Sequence, residues 1–293
     1  MVTAATTTPA TRGIRYHTLA AVAVALKELQ VQARYRNKFV SDVLSHFLGI
    51  APILLITFAM SGSSVDGSTV TDLTRNQILF VLLGYTAFVA FGFGTPIMLY
   101  TGMAWGITQD VQSGTIERNF LAPVPRTLIV LGLGFYYMVL YAFHAITLIV
   151  LAALFLSDGM TLTGEALLVA TADVLALLAL SVGLGLASAG VYLLVKDGSF
   201  FLLVVHRPFM ILSGAVFFID LLPGPLKVLA YANPVTYGVD AFRGALGGRE
   251  TILPVWGEVG IVLAGAAVAA TFGAWIFWTV LRKQLARGSL AHY

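Results

Sequence analysis

The chain has no cysteine, few charges and no phosphate-binding loop. Without cysteine there are no disulfides, no thiol catalysis and no thiolate metal site, and the redox compartment stays unconstrained. Only 11% of the 293 residues are charged, against about a quarter in a soluble domain. Hydrophobic residues make up 58%, and the mean hydropathy is +0.89. That surplus of apolar side chains is expected to face lipid. No G-x-x-x-x-G-K-[ST] run occurs anywhere, so the chain is not expected to hydrolyse ATP alone. The pairs Gly92/Gly94, Gly132/Gly134 and Gly183/Gly185 lie in apolar stretches and lack the rest of a dinucleotide fingerprint, so they read as close helix packing. No convergent His/Asp/Glu cluster of metal or hydrolytic type is visible. The sequence pI of 9.2 could suit a nucleic-acid binder. The bases sit beside apolar spans instead, which favours the anionic face of a membrane.

A membrane-spanning helix needs about 20 mostly apolar residues. Six segments qualify: 39–60, 78–105, 128–156, 166–195, 200–219 and 253–281. Four of them, at 1.5 Å per residue, reach roughly 42–45 Å, longer than a ~30 Å hydrocarbon core. They are expected to tilt or to project into water at one end. The sequence therefore predicts an all-α integral membrane fold with a six-helix domain over 39–281.

Lys and Arg set the orientation. Arg12, Arg15, Lys27, Arg34, Arg36, Lys38, Arg118, Arg126, Lys196, Arg282, Lys283 and Arg287 fall on one side, against Arg75, Lys227, Arg243 and Arg249 on the other. The richer side is expected to be cytoplasmic, with both termini on it and a multi-pass chain in the cell membrane. Residues 1–18 are expected to form a disordered tail, and 282–293 a short cytoplasmic one. Over 19–38, Leu19, Val22, Leu26 and Leu29 recur at helical spacing, which predicts an amphipathic helix on the membrane surface. The competing reading, a signal peptide behind Arg12 and Arg15, would place Arg34–Lys38 outside against the charge rule.

Between the second and third spans lies a polar island, DVQSGTIERNFLAPVPR, Asp110 to Arg126. Gly114 ends the preceding helix. Thr115 is placed to cap a short helix over about 115–123 whose first turn holds Glu117, followed by Arg118. Ile116, Phe120 and Leu121 give it an apolar face with nothing obvious of its own to cover, and Pro123 and Pro125 stop it. Exposed Phe and Leu in a short loop suit a docking surface better than an ordinary turn.

The stretch Asp220–Glu250 is equally unusual. Pro223-Gly224-Pro225 and Asn233-Pro234 interrupt it, leaving a two-turn piece over 226–232 and a three-turn piece over 236–246. Neither can span a bilayer, and over about 221–248 they read as a re-entrant hairpin. Asp240 and Arg243 are i,i+3 neighbours placed to pair. Among the few ionisable residues inside spans are His144, Asp173, His206 and Arg207. Each is a functional candidate, with internal pairing or snorkelling as the alternative. Ser181, Gly185 and Ala189, and Ala266, Ala270 and Ala274, recur every four residues and predict close helix contacts within the bundle.

Together the surface helix, the six spans, SGTIERNFLAPVPR and SGAVFFIDLLPGPLKVLAYANPVTYGVDAFRGAL resemble the type-2 permeases of ATP-binding-cassette exporters, over about residues 20–285. By that resemblance the 115–123 segment is a coupling helix, with Gly114, Thr115, Glu117 and Pro123 in the element that docks on an ATPase. Asp110, Ile116, Arg118 and Phe120 complete the same handle. Pro223, Asn233, Pro234, Tyr237, Asp240 and Arg243 then belong to an extracellular gate before the last span. The resemblance also implies two ATPase subunits as partners, with ATP and Mg bound there and no cofactor on this chain. It further implies a second permease copy or a paralogue. His206-Arg207-Pro208 is more polar than the apolar run expected at that place, which suits an anionic substrate group or a subunit-interface pair. The opening RYRNKFVSDVLSHFLGIAPILLI resembles drug- or ion-export permeases more than polysaccharide-export ones.

Several functions stay open at this point. An exporter subunit for a drug or hydrophobic, lipid-like molecule is the leading expectation. Lipid-linked glycan or sodium would use the same architecture. A gradient-driven carrier built on Asp173, His144 and His206, and a membrane enzyme or scaffold, are the rivals from other classes.

Overall fold

The computed structural model describes residues 14–34, 69–90, 114–121, 124–156, 159–195, 211–215 and 218–287, with single positions or short runs between 37 and 51 and between 103 and 111. Among these residues the chain is helical, with no strand. The elements are α1 (Ile14–Arg34), α2 (Thr69–Ala90), α3 (Ile116–Leu121), α4 (Arg126–Leu156), α5 (Gly164–Val195), a 3₁₀ turn (Ile219–Leu221), α6 (Gly224–Ala232), α7 (Pro234–Gly247) and α8 (Val255–Arg287).

Most boundaries follow the hydropathy pattern, and the departures have local causes. α4 and α5 begin two residues before the apolar runs at 128 and 166, and both end where expected. α2 starts at Thr69, nine residues ahead of the apolar run at Ile78. The added turns are the polar TVTDLTRNQ, which hydropathy leaves out and whose Thr, Val, Asp and Asn are weak helix formers, so they are helical as a continuation of the apolar run behind them. α8 continues past Leu281 to Arg287, because Gln284 turns inward and its Nε2 donates to the Leu193 carbonyl at the end of α5, 2.8 Å away. α1 begins at Ile14, inside the stretch expected to be a disordered tail. α5 and α8, each 32 residues or more, are long and apolar enough to cross a membrane. The first and fifth expected spans fall largely outside the described residues.

α1 does not lie free on a surface. Ala20 is buried, and Val24 packs so closely on Gly132 of α4 that a Cβ there would strike it. Leu29 also packs against the core. Leu19, Val22 and Leu26 remain exposed, so the stripe that periodicity treats as one face is divided between α4 and the surroundings.

The tightest seam joins α5 to α8. It is made by small residues, as expected where helices in lipid gain mainly from close packing. Gly183, read from the sequence as a packing glycine, lies in it, and Ser181, Gly185 and Ala189 are buried along the same helix. Gly183 faces the backbone of Ala269 and Ala270, Gly273 faces the Gly183 carbonyl, and Gly190 meets the backbone of Phe277. A Cβ on Gly183 would lie 2.5 Å from backbone atoms of α8. Neither backbone can yield without parting the helices. Gly183→Ala is therefore expected to destabilise the protein by about 1–3 kcal/mol, read as a lower thermal unfolding midpoint in detergent, whereas Ala at the open helical Gly260 should raise the midpoint slightly, Ala being the better helix former.

Candidate functional site

The first candidate site is the turn carrying α3. Gly114 adopts φ +68, a left-handed conformation that glycine enters without a Cβ penalty, and its N–H donates to the Val111 carbonyl at 3.0 Å. This ends the helical run before it and reverses the chain. The Asp110 carboxylate then clamps the next helix. Its Oδ1 accepts from the Thr115 hydroxyl at 2.9 Å, and its Oδ2 accepts from Asn119 Nδ2 at 2.8 Å. The Asp110 carbonyl also accepts from the Thr115 N–H at 2.8 Å. Thr115 occupies the cap position, as its place before the helix suggested, but its hydroxyl is spent on Asp110. Asn119 was not anticipated. Nothing in the local sequence distinguishes it from a solvated helix residue until Asp110 is placed nine residues back.

One expectation is corrected here. Ile116 and Phe120 are buried in the protein's own core, alongside Ile107, Val111 and Ile129. They are not an uncovered face, because the helical segment before the turn and the start of α4 close over them. Arg126 adds its guanidinium over the Phe120 ring at 6.0 Å. Leu121 is left standing out, 83% exposed, with Arg118 exposed beside it. Glu117 lies on α3, but its side chain is outside the described residues, as is Pro123.

The second candidate site is built around Arg243 on α7. The guanidinium is buried, and each of its nitrogens donates to a main-chain carbonyl. Nε reaches Phe80 on α2 at 3.0 Å, Nη1 reaches Gly214 at 2.8 Å, and Nη2 reaches Ala215. The guanidinium carbon also lies 3.5 Å from the Phe80 ring centroid. Gly84 makes room, since a Cβ there would run into the guanidinium and the Ala215 carbonyl. Gly214 itself holds φ +68 in the turn. Burial pulls Arg243 down to about 9, with Asp240 working against the fall and Arg249 adding to it, so the group stays charged at neutral pH. One side chain thus clasps three parts of the chain that are distant in sequence.

The i,i+3 pairing expected of Asp240 and Arg243 does not form. Asp240 instead accepts from the Ile252 N–H at 2.8 Å and holds the 248–254 segment. All three nitrogens of the guanidinium are taken by the carbonyls, while Asp240 is held by the Ile252 N–H. Around the clasp, Asn233 caps α7 by accepting from the Val235 N–H at 3.1 Å, and Pro234 fills the first helical position. The Tyr237 hydroxyl donates to the Tyr231 carbonyl at 2.9 Å, fastening α7 to α6. Pro223 is exposed and precedes α6.

Of the intramembrane candidates, Asp173 is the one whose side chain is described. It is fully buried on α5, beneath Gly238 of α7, and both carboxyl oxygens lack a hydrogen-bond partner. Glu258 at the start of α8 is buried as well. Its Oε1 accepts from the Leu253 N–H at 3.0 Å, and its Oε2 has no partner. Glu258 lies near the start of the 253–281 apolar segment, in the first turn of its helix, where an acid is ordinary and carries no signal of its own in the sequence. The His144 side chain, His206 and Arg207 lie outside the described residues. Among the described residues no group of acids and histidines is arranged to hold a metal ion.

The family model of the ABC-2 type transporter matches residues 23–246, which takes in the handle, the clasp and nearly all of α7. No curated protein matches the chain.

Proposed function

The chain belongs to the ABC-2 type transporter family, and from that premise we propose that it is the permease subunit of an ATP-driven exporter of drug-like or hydrophobic molecules. In this reading it has six spans and pairs with a second copy or a paralogue around the path. The family implies partnership with ABC ATPase subunits, and we assign the α3 turn as the place where they dock, with both termini on that same cytoplasmic side. α6 and α7 form the re-entrant hairpin on the opposite side.

The observation that carries the proposal is the construction of the α3 turn. A subunit driven by a separate motor needs a short, stiff projection joined to long helices. Here Gly114 reverses the chain, Asp110 fixes the helix, and Ile116 and Phe120 root it in the core. Leu121 and Arg118 project from it as the contact surface. ATP binding can shift the permease only through contacts that differ between its two conformations. A rooted helix transmits such a difference, and a loose loop would absorb it.

The test is purification of the tagged chain in mild detergent from its native host, followed by identification of partners and reconstitution. A near-stoichiometric soluble subunit with a phosphate loop, and ATP-dependent release of cargo from liposomes, are expected. A chain that purifies alone and transports down an ion gradient without ATP would replace this reading with the gradient-driven carrier. The fully buried, unpartnered Asp173 is the observation that keeps that rival specific.

A further inference from the structure

We infer that the cleft between the 3₁₀ turn and the 248–252 segment is a binding site for an aromatic organic cation. The cleft encloses about 300 Å³, at the lower end of the range for small-molecule sites. Phe80 and Phe218 form one wall. Their rings stack with centroids 4.1 Å apart and an interplanar angle of 27°. Phe80 is buried, with the Arg243 guanidinium over one face and Phe218 stacked on the other, so the accessible face of the pair is that of Phe218, which is 47% exposed. Asp220, Asp240 and Glu250 also line the cleft.

The chain's own side chain marks the cation seat. The Arg249 guanidinium carbon lies 5.1 Å from the Phe80 centroid and 5.9 Å from that of Phe218. Both distances are within the roughly 6 Å over which a ring face attracts a cation. Arg249 is exposed, and it follows Gly248, whose φ of +60 ends α7, so it sits on an irregular segment and not on a helix. It is a tethered cation that can swing away. With Arg249 displaced, three carboxylates remain against Arg243, whose nitrogens are directed at carbonyls. Lys227, 3.5 Å from Asp220, and Arg243, on which Asp240 acts, offset two of the three, which leaves Glu250 as the surplus counter-charge. The exposed Phe218 face and the one surplus carboxylate together select a flat or quaternary ammonium group over an anion.

As a late station on an export path the cleft rests on the permease reading. As a binding site it does not, so equilibrium binding is measured with no nucleotide and no ATPase. The probe is phenyltrimethylammonium, titrated against the full chain in nanodiscs. Arg249→Ala removes the competitor and is expected to tighten binding about three- to tenfold. Phe218→Ala is expected to weaken it by about the same factor. Glu250→Gln, an exposed change that leaves the fold alone, should weaken it as well. Weaker or unchanged binding in Arg249→Ala would overturn the inference, since Arg249 would then be a ligand or a bystander. Unchanged binding in both Phe218→Ala and Glu250→Gln would overturn it equally. ATP-dependent export, assayed separately in proteoliposomes, bears only on the permease reading.

Discussion

A chain carrying Gly114→Pro is expected to reach the membrane and assemble with its ATPase, yet export at less than about a tenth of the normal rate, a loss of roughly 1.4 kcal/mol or more. Proline locks φ near −65° and has no N–H. Position 114 needs φ +68 and uses its N–H to bond the Val111 carbonyl. Both requirements fail at once. Crowding is not the cause, because a Cβ at 114 would meet nothing within 4 Å. The defect should therefore grade with backbone preference alone. Asn, which enters the left-handed region readily, should come nearest to normal. Ala should be intermediate, at a strain of about 1–2 kcal/mol. ATP hydrolysis by the complex and cargo release are measured together. Hydrolysis that persists while export falls marks uncoupling, whereas equal export by the Gly, Asn, Ala and Pro forms would sink the handle. Glu117→Lys, which reverses a charge in the first turn of α3, is expected to uncouple in the same way.

Arg243→Ala should cost more in stability than any other single change considered for this chain, about 3–5 kcal/mol. Removing the guanidinium strands the carbonyls of Phe80, Gly214 and Ala215 away from water, and it empties the space beside Gly84. Arg243→Lys is the informative variant. It keeps the charge but presents a point donor where a planar fork is needed, so it should lose about 1–3 kcal/mol. If Lys restored the full unfolding midpoint, charge alone would matter and the clasp would be an incidental geometry. If Ala left the midpoint unchanged, the three bonds would contribute nothing net. Both variants are compared by thermal unfolding in the same detergent, with export measured on whatever folds.

How much of this was legible in the sequence depends on the distance over which each feature is decided. α4 and α5 were readable because long apolar runs leave the backbone one way to satisfy itself. The breaks at Gly114, Pro223-Gly224-Pro225 and Asn233-Pro234 were readable because glycine and proline act within a residue or two. The family resemblance rested on those same breaks, and residues 23–246 match that family. What failed depended on contacts across the chain. The sequence paired Arg243 with its i,i+3 neighbour because Asp240 was the only partner in view, while the carbonyl of Phe80 lies 163 residues away. Ile116 and Phe120 looked uncovered because the residues that cover them belong to other segments. The Phe80–Phe218 pair was invisible for the same reason.

The unequal packing gives this bundle a grain. Among the described residues α5 and α8 are knit along much of their length, and α7 is wedged against both. α4 leans on α1 and α2 and touches α5 only thinly. Timber parts along its grain, and here the easy plane runs between α4 and α5. α2 lies across that plane, packed on α7 as extensively as α8 is and clasped there by the Arg243 guanidinium. In the proposed permease reading, a push through α3 at the foot of α4 would tilt a plank against a slab, with the α2–α7 contact as its pivot.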